Sequence, residues 1–285
     1  MTANIVGSTI ATGAGPVEAA VTGAGTGVLL IHGMPGSWRQ LVPLAEDLAP
    51  VHTMVLPSRP GYGATPLAVG RTYDEQAAAY AALLDAVAVD TVAVVGVSGG
   101  APSAAVFAAR YPERTRALVL ACPLAPDRFA IPALMRVAFL PVLGEALSTA
   151  ARWRRRRQLA DPSALEELIV KELTPVELAV LDDAGRRDFE RFLRSHLEAP
   201  PGLAGFRNDM AQGRRARPFA GKVVAPTLVQ HGDADTVVPL DHAQAYARAI
   251  PGAELDVLSG AGHGFLLSRR AEAVPRIACF IATPV

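Results

Sequence analysis

Short apolar runs alternate with longer amphipathic stretches along most of this chain, and that rhythm predicts its architecture. Val17–Thr22 alternates apolar and polar positions and reads as a strand, with a turn at Gly23–Gly27. Val28–Ile31 is a continuous apolar run that stops at His32-Gly33, as a buried strand would. Ser37 stands where it could cap a helix reaching about Leu48. Thr53–Leu56 is the next strand, ended by the Pro57–Gly63 loop. Tyr73–Val87 reads as a helix whose packing stripe is Ala77, Ala78, Tyr80, Ala81 and Leu84. Thr91–Val95 is a strand, Ala101–Arg110 a helix and Ala117–Ala121 a strand. The alternation returns late in the chain with Thr227–Gln230 (strand), Leu240–Ala249 (helix), Glu254–Leu258 (strand) and a helix after Phe265. Continuous apolar strands between helices argue for an α/β fold: a mostly parallel central sheet with helices on both faces.

Between Pro123 and Pro218 no strand pattern occurs, and the composition turns to Leu, Ala, Arg and Glu. The expected organisation is a core formed by 1–123 and 218–285, with 124–217 inserted as a helical cap that Pro200-Pro201-Gly202 interrupts. The run from Arg152 to Arg157, broken by Trp153, is the one block of charge. Such runs are usually a solvated helix face; contact with an anionic substrate is the alternative.

Composition excludes more than it selects. The 285 residues carry 27 basic and 27 acidic groups, so no general field draws in nucleic acid or an anionic membrane. Phe129–Leu147 is mostly apolar but contains Pro132, Arg136, Pro141, Gly144 and Glu145, which argues against a membrane span. Met1–Gly15 lacks a basic segment followed by an apolar one, so a cytoplasmic location is expected. Cys122 and Cys279 belong to no C-x-x-C pair and read as small apolar residues.

The chemistry centres on Gly96-Val97-Ser98-Gly99-Gly100, a G-x-S-x-G sequence between a strand and a helix. In that context the turn is tight enough to strain the serine backbone and lift its hydroxyl clear of the sheet. Small residues, Gly96 and Gly100, are needed two positions to either side. The plainer reading is an ordinary glycine-rich turn. A serine hydroxyl is a weak nucleophile and needs a base beside it. Of the six histidines, His263 lies in the loop Gly260–Phe265 after the last strand, able to reach over the carboxyl ends of the strands. His52 starts a strand, His196 lies in the insertion and His242 starts a helix. The acid is sought after the Thr227–Gln230 strand, in His231-Gly232-Asp233-Ala234-Asp235-Thr236-Val237-Val238-Pro239, where Asp233 and Asp235 both qualify.

With these residues in place, the chain outside the insertion resembles the α/β-hydrolase fold enzymes, which include esterases, epoxide hydrolases and C–C hydrolases. The resemblance to that family's G-x-x-D-x-x-V-P pattern selects Asp235, with Asp233 as the fallback whose alternative duty is bonding the loop backbone. It also implies that His32-Gly33-Met34-Pro35-Gly36 is the oxyanion loop, with the backbone N–H groups of Met34 and Gly99 receiving the developing charge. His231, Asp233, Asp235 and His242 could suggest a metal site, but no H-x-x-x-H or H-E-x-x-H spacing supports one. Gly23-Ala24-Gly25-Thr26-Gly27 lacks dinucleotide-loop spacing and precedes a strand. No cofactor is expected.

Epoxide hydrolases and haloalkane dehalogenases of this fold carry Asp at the elbow; Ser98 instead favours acyl transfer at a carbonyl. The expected activity is hydrolysis of carboxylic esters of a small to medium apolar substrate. The apolar expectation rests on Phe129, Ile131, Leu134, Met135, Val137, Phe139 and Leu140 in the insertion. The same triad would equally serve C–C bond, lactone or peptide-terminal hydrolysis, or perhydrolysis. A non-catalytic ligand-binding protein of this fold is the reading from another class. The expected partner is a small-molecule substrate, without nucleic acid or membrane insertion.

Overall fold

The computed structural model describes residues 5–128, 141–198, 203–213 and 222–282. Eight strands form one sheet: β1 Gly7–Thr12, β2 Gly15–Gly23, β3 Thr26–Ile31, β4 His52–Pro57, β5 Val92–Val97, β6 Thr115–Ala121, β7 Thr227–Gly232 and β8 Glu254–Leu258. Their spatial order is β1-β2-β4-β3-β5-β6-β7-β8. The β1–β2 and β2–β4 pairs are antiparallel, and every pair from β4–β3 onward is parallel.

The apolar runs follow from burial on both faces. Side chains alternate across a strand, so Leu29 and Ile31 of β3 enter one core layer while Val28 and Leu30 enter the other. The first layer is covered by α2 (Tyr73–Ala86), α3 (Ala101–Arg110) and, near β7, α9 (Leu240–Ala249); the second by α1 (Val42–Leu48) and α11 (Arg270–Ala282), with the single-turn α10 (Phe265–Ser268) leading into α11. Helix α2 opens with a capping box, in which Thr72 Oγ1 accepts the Glu75 N–H and the Glu75 carboxylate accepts the Thr72 N–H.

Between β6 and β7 the chain leaves the sheet. The described residues there form α4 (Pro141–Ala160), α5 (Pro162–Glu172), α6 (Pro175–Val180), α7 (Asp183–Glu198) and α8 (Leu203–Gly213), a helical insertion as expected. The Pro200–Gly202 interruption lies outside the described residues, as does Phe129–Leu140. No helix among the described residues is long and apolar enough to cross a membrane.

Three expectations need correction. Strand β1 was not foreseen: its burial alternates weakly, and its Thr, Ala and Gly composition gives no apolar stripe. The helix expected from Ser37 to Leu48 is divided into a 3-10 turn, Trp38–Leu41, and α1. Pro43 explains the division, because its ring would strike the carbonyl four residues back in a continuous α-helix. Ser37 does not cap; its Oγ is buried without a hydrogen bond, and the Trp38 N–H goes to Ser58 Oγ at 3.3 Å.

Candidate active site

The site is assembled from the carboxyl ends of β3, β5, β7 and β8. After β5 the chain turns through a 3-10 segment, Ser98–Gly100, directly into α3. Ser98 has φ +50°, in the left-handed region that costs an L-residue about 1–2 kcal/mol. The turn is also too crowded for side chains beside the serine. A Cβ at Gly96 would lie 2.5 Å from the Ala104 Cβ, and one at Gly100 would lie 2.5 Å from the Ile31 carbonyl oxygen. The Ser98 carbonyl accepts the Leu124 N–H at 3.1 Å, which ties the turn to the end of β6.

His263 Nε2 lies 3.1 Å from Ser98 Oγ, and His263 Nδ1 lies 2.7 Å from Asp235 Oδ2. A carboxylate only accepts, so in the neutral ring Nδ1 carries the proton and Nε2 presents its lone pair to the serine hydroxyl. The other Asp235 oxygen accepts the N–H groups of Val237 and Val238, each at 2.8 Å. Burial alone would raise the Asp235 pKa; the hydrogen bond and charge of His263 and the two backbone donors outweigh it and hold the carboxyl below its ordinary value. Burial likewise pushes His263 down, but neighbouring Cys122 and the Asp235 carboxylate overcome it and hold the imidazole pKa well above 6.5.

The loop bearing His263 fits closely beneath the insertion. Cβ atoms at Gly260 and Gly264 would meet Val176 at 2.8 Å and Phe189 at 2.9 Å. Thr174 Oγ1 donates to the Gly260 carbonyl at 2.6 Å. On the opposite side, the Gly33 Cα faces Ser98: a Cβ there would be 3.7 Å from Ser98 Oγ. The side chain of Met34 lies over Gly99. Gly99 is the second residue of its turn, where an N–H has no preceding helical carbonyl to bond.

The structure therefore brings Ser98, His263 and Asp235 into one hydrogen-bonded line, with Met34 and Gly99 beside the serine and Gly96 and Gly100 packed behind it. Asp233 is directed elsewhere, accepting the Gly260 N–H at 2.6 Å. His231 Nε2 donates to the Val238 carbonyl at 2.8 Å, and His242 Nδ1 accepts the Ala125 N–H at 3.0 Å. These two histidines serve the loops that carry Asp235 and follow β6. The apolar residues between Phe129 and Leu140 lie outside the described residues.

Sequence reasoning missed two polar links around the loop that carries Met34. Gln40 Nε2 donates to the Pro35 carbonyl at 2.7 Å and contacts His196 Nε2 at 2.9 Å. The Arg59 guanidinium, fully buried, bonds Asp209 of α8 at 2.7 Å. No motif joins residues so distant along the chain. The burial of Arg59, which makes its pairing necessary, emerges only from the fold.

Residues 27–269 match the model of the alpha/beta hydrolase fold family, and the chain belongs to that family. It is 31% identical to an alpha/beta hydrolase fold protein from Nakamurella multipartita, covering 97% of this chain and 99% of that one, with a TM-score of 0.77. A thermophilic esterase from Thermogutta terrifontis is 25% identical over 96% of this chain and 97% of its own, with a TM-score of 0.67. A 2-hydroxy-6-oxo-6-phenylhexa-2,4-dienoate hydrolase from Burkholderia cepacia is 27% identical, covering 85% of this chain and 82% of that relative.

Proposed function

We propose that this chain is a serine hydrolase that cleaves carboxylic esters of small to medium size. The observation that carries the reading is the line Asp235–His263–Ser98, at 2.7 and 3.1 Å, ending on a serine held at φ +50°. Ser98 Oγ attacks the ester carbonyl while His263 Nε2 takes its proton. The carbonyl oxygen becomes an oxyanion, which the N–H groups of Met34 and Gly99 receive. The imidazolium, stabilised by Asp235, gives its proton to the departing alkoxide, and an acyl-enzyme on Ser98 remains. Water then loses a proton to His263 and attacks the acyl carbon; the proton returns to Ser98 as the acid leaves. The insertion acts as a cap over this site, and the Met34 side chain over Gly99 suits an apolar acyl or alkyl group.

The test is release of p-nitrophenol from short p-nitrophenyl esters. Ser98→Ala is expected to lower kcat by roughly four orders of magnitude or more. A variant that retained the activity would remove Ser98 from this role.

A second reading has the similarity to the Burkholderia cepacia dienoate hydrolase in its favour. The same residues would then cleave a C–C bond in a vinylogous diketone, with His263 delivering a proton to the departing carbon. A protein inert toward p-nitrophenyl esters but active on such a diketone would establish that reading over the first.

A further inference from the structure

The loop that carries Met34 is held at both ends by side chains that end on the helical insertion. At its start, His32 is fully buried; its Nδ1 donates to the Gly33 carbonyl at 2.6 Å and its Nε2 accepts the Arg59 N–H at 2.9 Å. The Arg59 guanidinium meets Asp209 of α8, and Tyr62 OH donates to the second Asp209 oxygen at 2.7 Å. Helix α8 comes this close because both contacting backbones are glycine: the Gly205 N–H donates to the Gly61 carbonyl at 3.0 Å.

At the other end of the loop, Gln40 bridges to α7. A carbonyl accepts, so His196 Nδ1, 3.0 Å from the Phe192 carbonyl, bears the ring proton, and Nε2 is left as an acceptor. The Gln40 amide nitrogen thus donates one hydrogen to His196 and the other to the Pro35 carbonyl. Its carboxamide leaves no room for a side chain at position 36, where a Cβ would fall 2.1 Å from Gln40 Oε1. Helix α7 is itself docked on the core by Arg191 on Glu46 and by Arg270, which pairs with both Asp188 of α7 and Asp47 of α1.

We propose that Gln40 and His196 are positioning residues: with α7 seated, the Gln40 bridge holds the Pro35 carbonyl and thereby aims the adjoining Met34 N–H at the reacting carbonyl. The inference rests on the reading of that N–H as an oxyanion donor. Its consequence is selective. A donor aimed at charge that develops only during reaction contributes to kcat and little to ground-state binding.

The test uses the full chain with a short p-nitrophenyl ester and an alkyl trifluoromethyl ketone, which forms a hemiketal oxyanion on the serine. Gln40→Met keeps the length of the side chain and removes both N–H donors. His196→Phe keeps a ring beside Phe192, now at 4.9 Å between centroids, and removes the acceptor. Each is expected to lower kcat about tenfold, a fraction of the ~100-fold or more lost with a whole oxyanion donor, with KM within about twofold. Ketone affinity should weaken by the same factor as kcat. The double variant should be no slower than Gln40→Met, because either change breaks the same bridge. Arg186→Ala, which opens an ion pair with Glu166 inside the insertion, should leave all three quantities unchanged.

A folded Gln40→Met with wild-type kcat, a loss confined to KM, or multiplicative single effects would each overturn the proposal. If Gln40→Met does not fold, His196→Phe with the ketone decides alone. Ser98→Ala separates the two levels: an active Ser98→Ala sinks the serine-hydrolase reading, whereas an inactive Ser98→Ala beside an unaffected Gln40→Met sinks only this inference.

Discussion

Adding one methyl group at Gly100 should impair the chemistry without touching any reacting atom. Gly100 has φ −83° and ψ −20°, which alanine adopts without strain, so the backbone dihedral does not demand glycine here. Proximity does. A Cβ would lie 2.5 Å from the Ile31 carbonyl oxygen and 2.6 Å from that of His32, whereas ordinary contact begins at 3.4 Å. Both neighbours are backbone, so the shortfall of 3.4 − 2.5, about 0.9 Å, must be met by moving the end of β3 away from the Ser98–Gly100 turn. That movement carries the Gly33–Met34 segment with it. A misplacement of about 1 Å can cost about 100-fold in rate, or about 2.7 kcal/mol of activation free energy. Overpacking adds about 1–3 kcal/mol of destabilisation. Hydrolysis of a p-nitrophenyl ester by Gly100→Ala, with its thermal melt, measures both. Gly13→Ala is the control, since nothing lies within 4 Å of its Cβ. A Gly100→Ala protein with wild-type kcat/KM and an unchanged melt would refute the link between this contact and the donor geometry.

Other consequences are equally direct. On the proposed reading hydrolysis needs neutral His263, whose pKa is raised well above 6.5, so the acid limb of kcat/KM against pH should have its midpoint above that value; Asp235→Asn removes a cause of the elevation and should move the limb down while lowering kcat. The same shift fixes a sign for stability: the folded state favours the imidazolium, so the contribution of His263 is complete below pH 6.5 and is lost as pH rises through the folded value, measurable as urea unfolding over that range in the wild type. Asp209→Ala leaves the fully buried Arg59 charge without its carboxylate and should cost about 3–5 kcal/mol in urea unfolding. Thr72→Ala removes the capping bond to the Glu75 N–H and should cost about 1 kcal/mol in the same assay, with kcat unchanged.

What could be read from the sequence was what local rules determine. Helices α3 and α9 and strand β8 have the bounds their apolar spacing predicts, and Ser98 sits at the strand-to-helix turn that G-x-S-x-G requires. Strand β1 escaped notice because an edge strand needs no continuous apolar face; it is fixed by pairing along β2 from Gly7↔Ala20 to Thr12↔Gly15. The break before α1 was legible in principle, since Pro43 carries its own steric reason. The bridges of Gln40 to His196 and Arg59 to Asp209 were not. They join positions 156 and 150 residues apart, and nothing at either end announces its partner. The choice between Asp233 and Asp235 was likewise tertiary: both follow β7, but one faces the Gly260 N–H and the other the imidazole.

The chain departs after β6 and re-enters at β7, and these strands lie side by side with Leu118 opposite Thr227 and Ala121 opposite Gln230. Because the strands are parallel, the exit at Ala121 and the re-entry at Thr227 lie at opposite ends of this pairing, ~10 Å apart along the strands and ~5 Å across, and closing that gap costs an entropy that grows only logarithmically with the number of residues spliced in. Such a splice point tolerates transplantation: another helical segment could be exchanged there without altering strand register. A chimera that inherits a foreign segment but loses the partners of Gln40 and Arg59 would keep Ser98, His263 and Asp235 in line and, on the proposed reading, still run slowly until those two handholds were rebuilt on the donor helices.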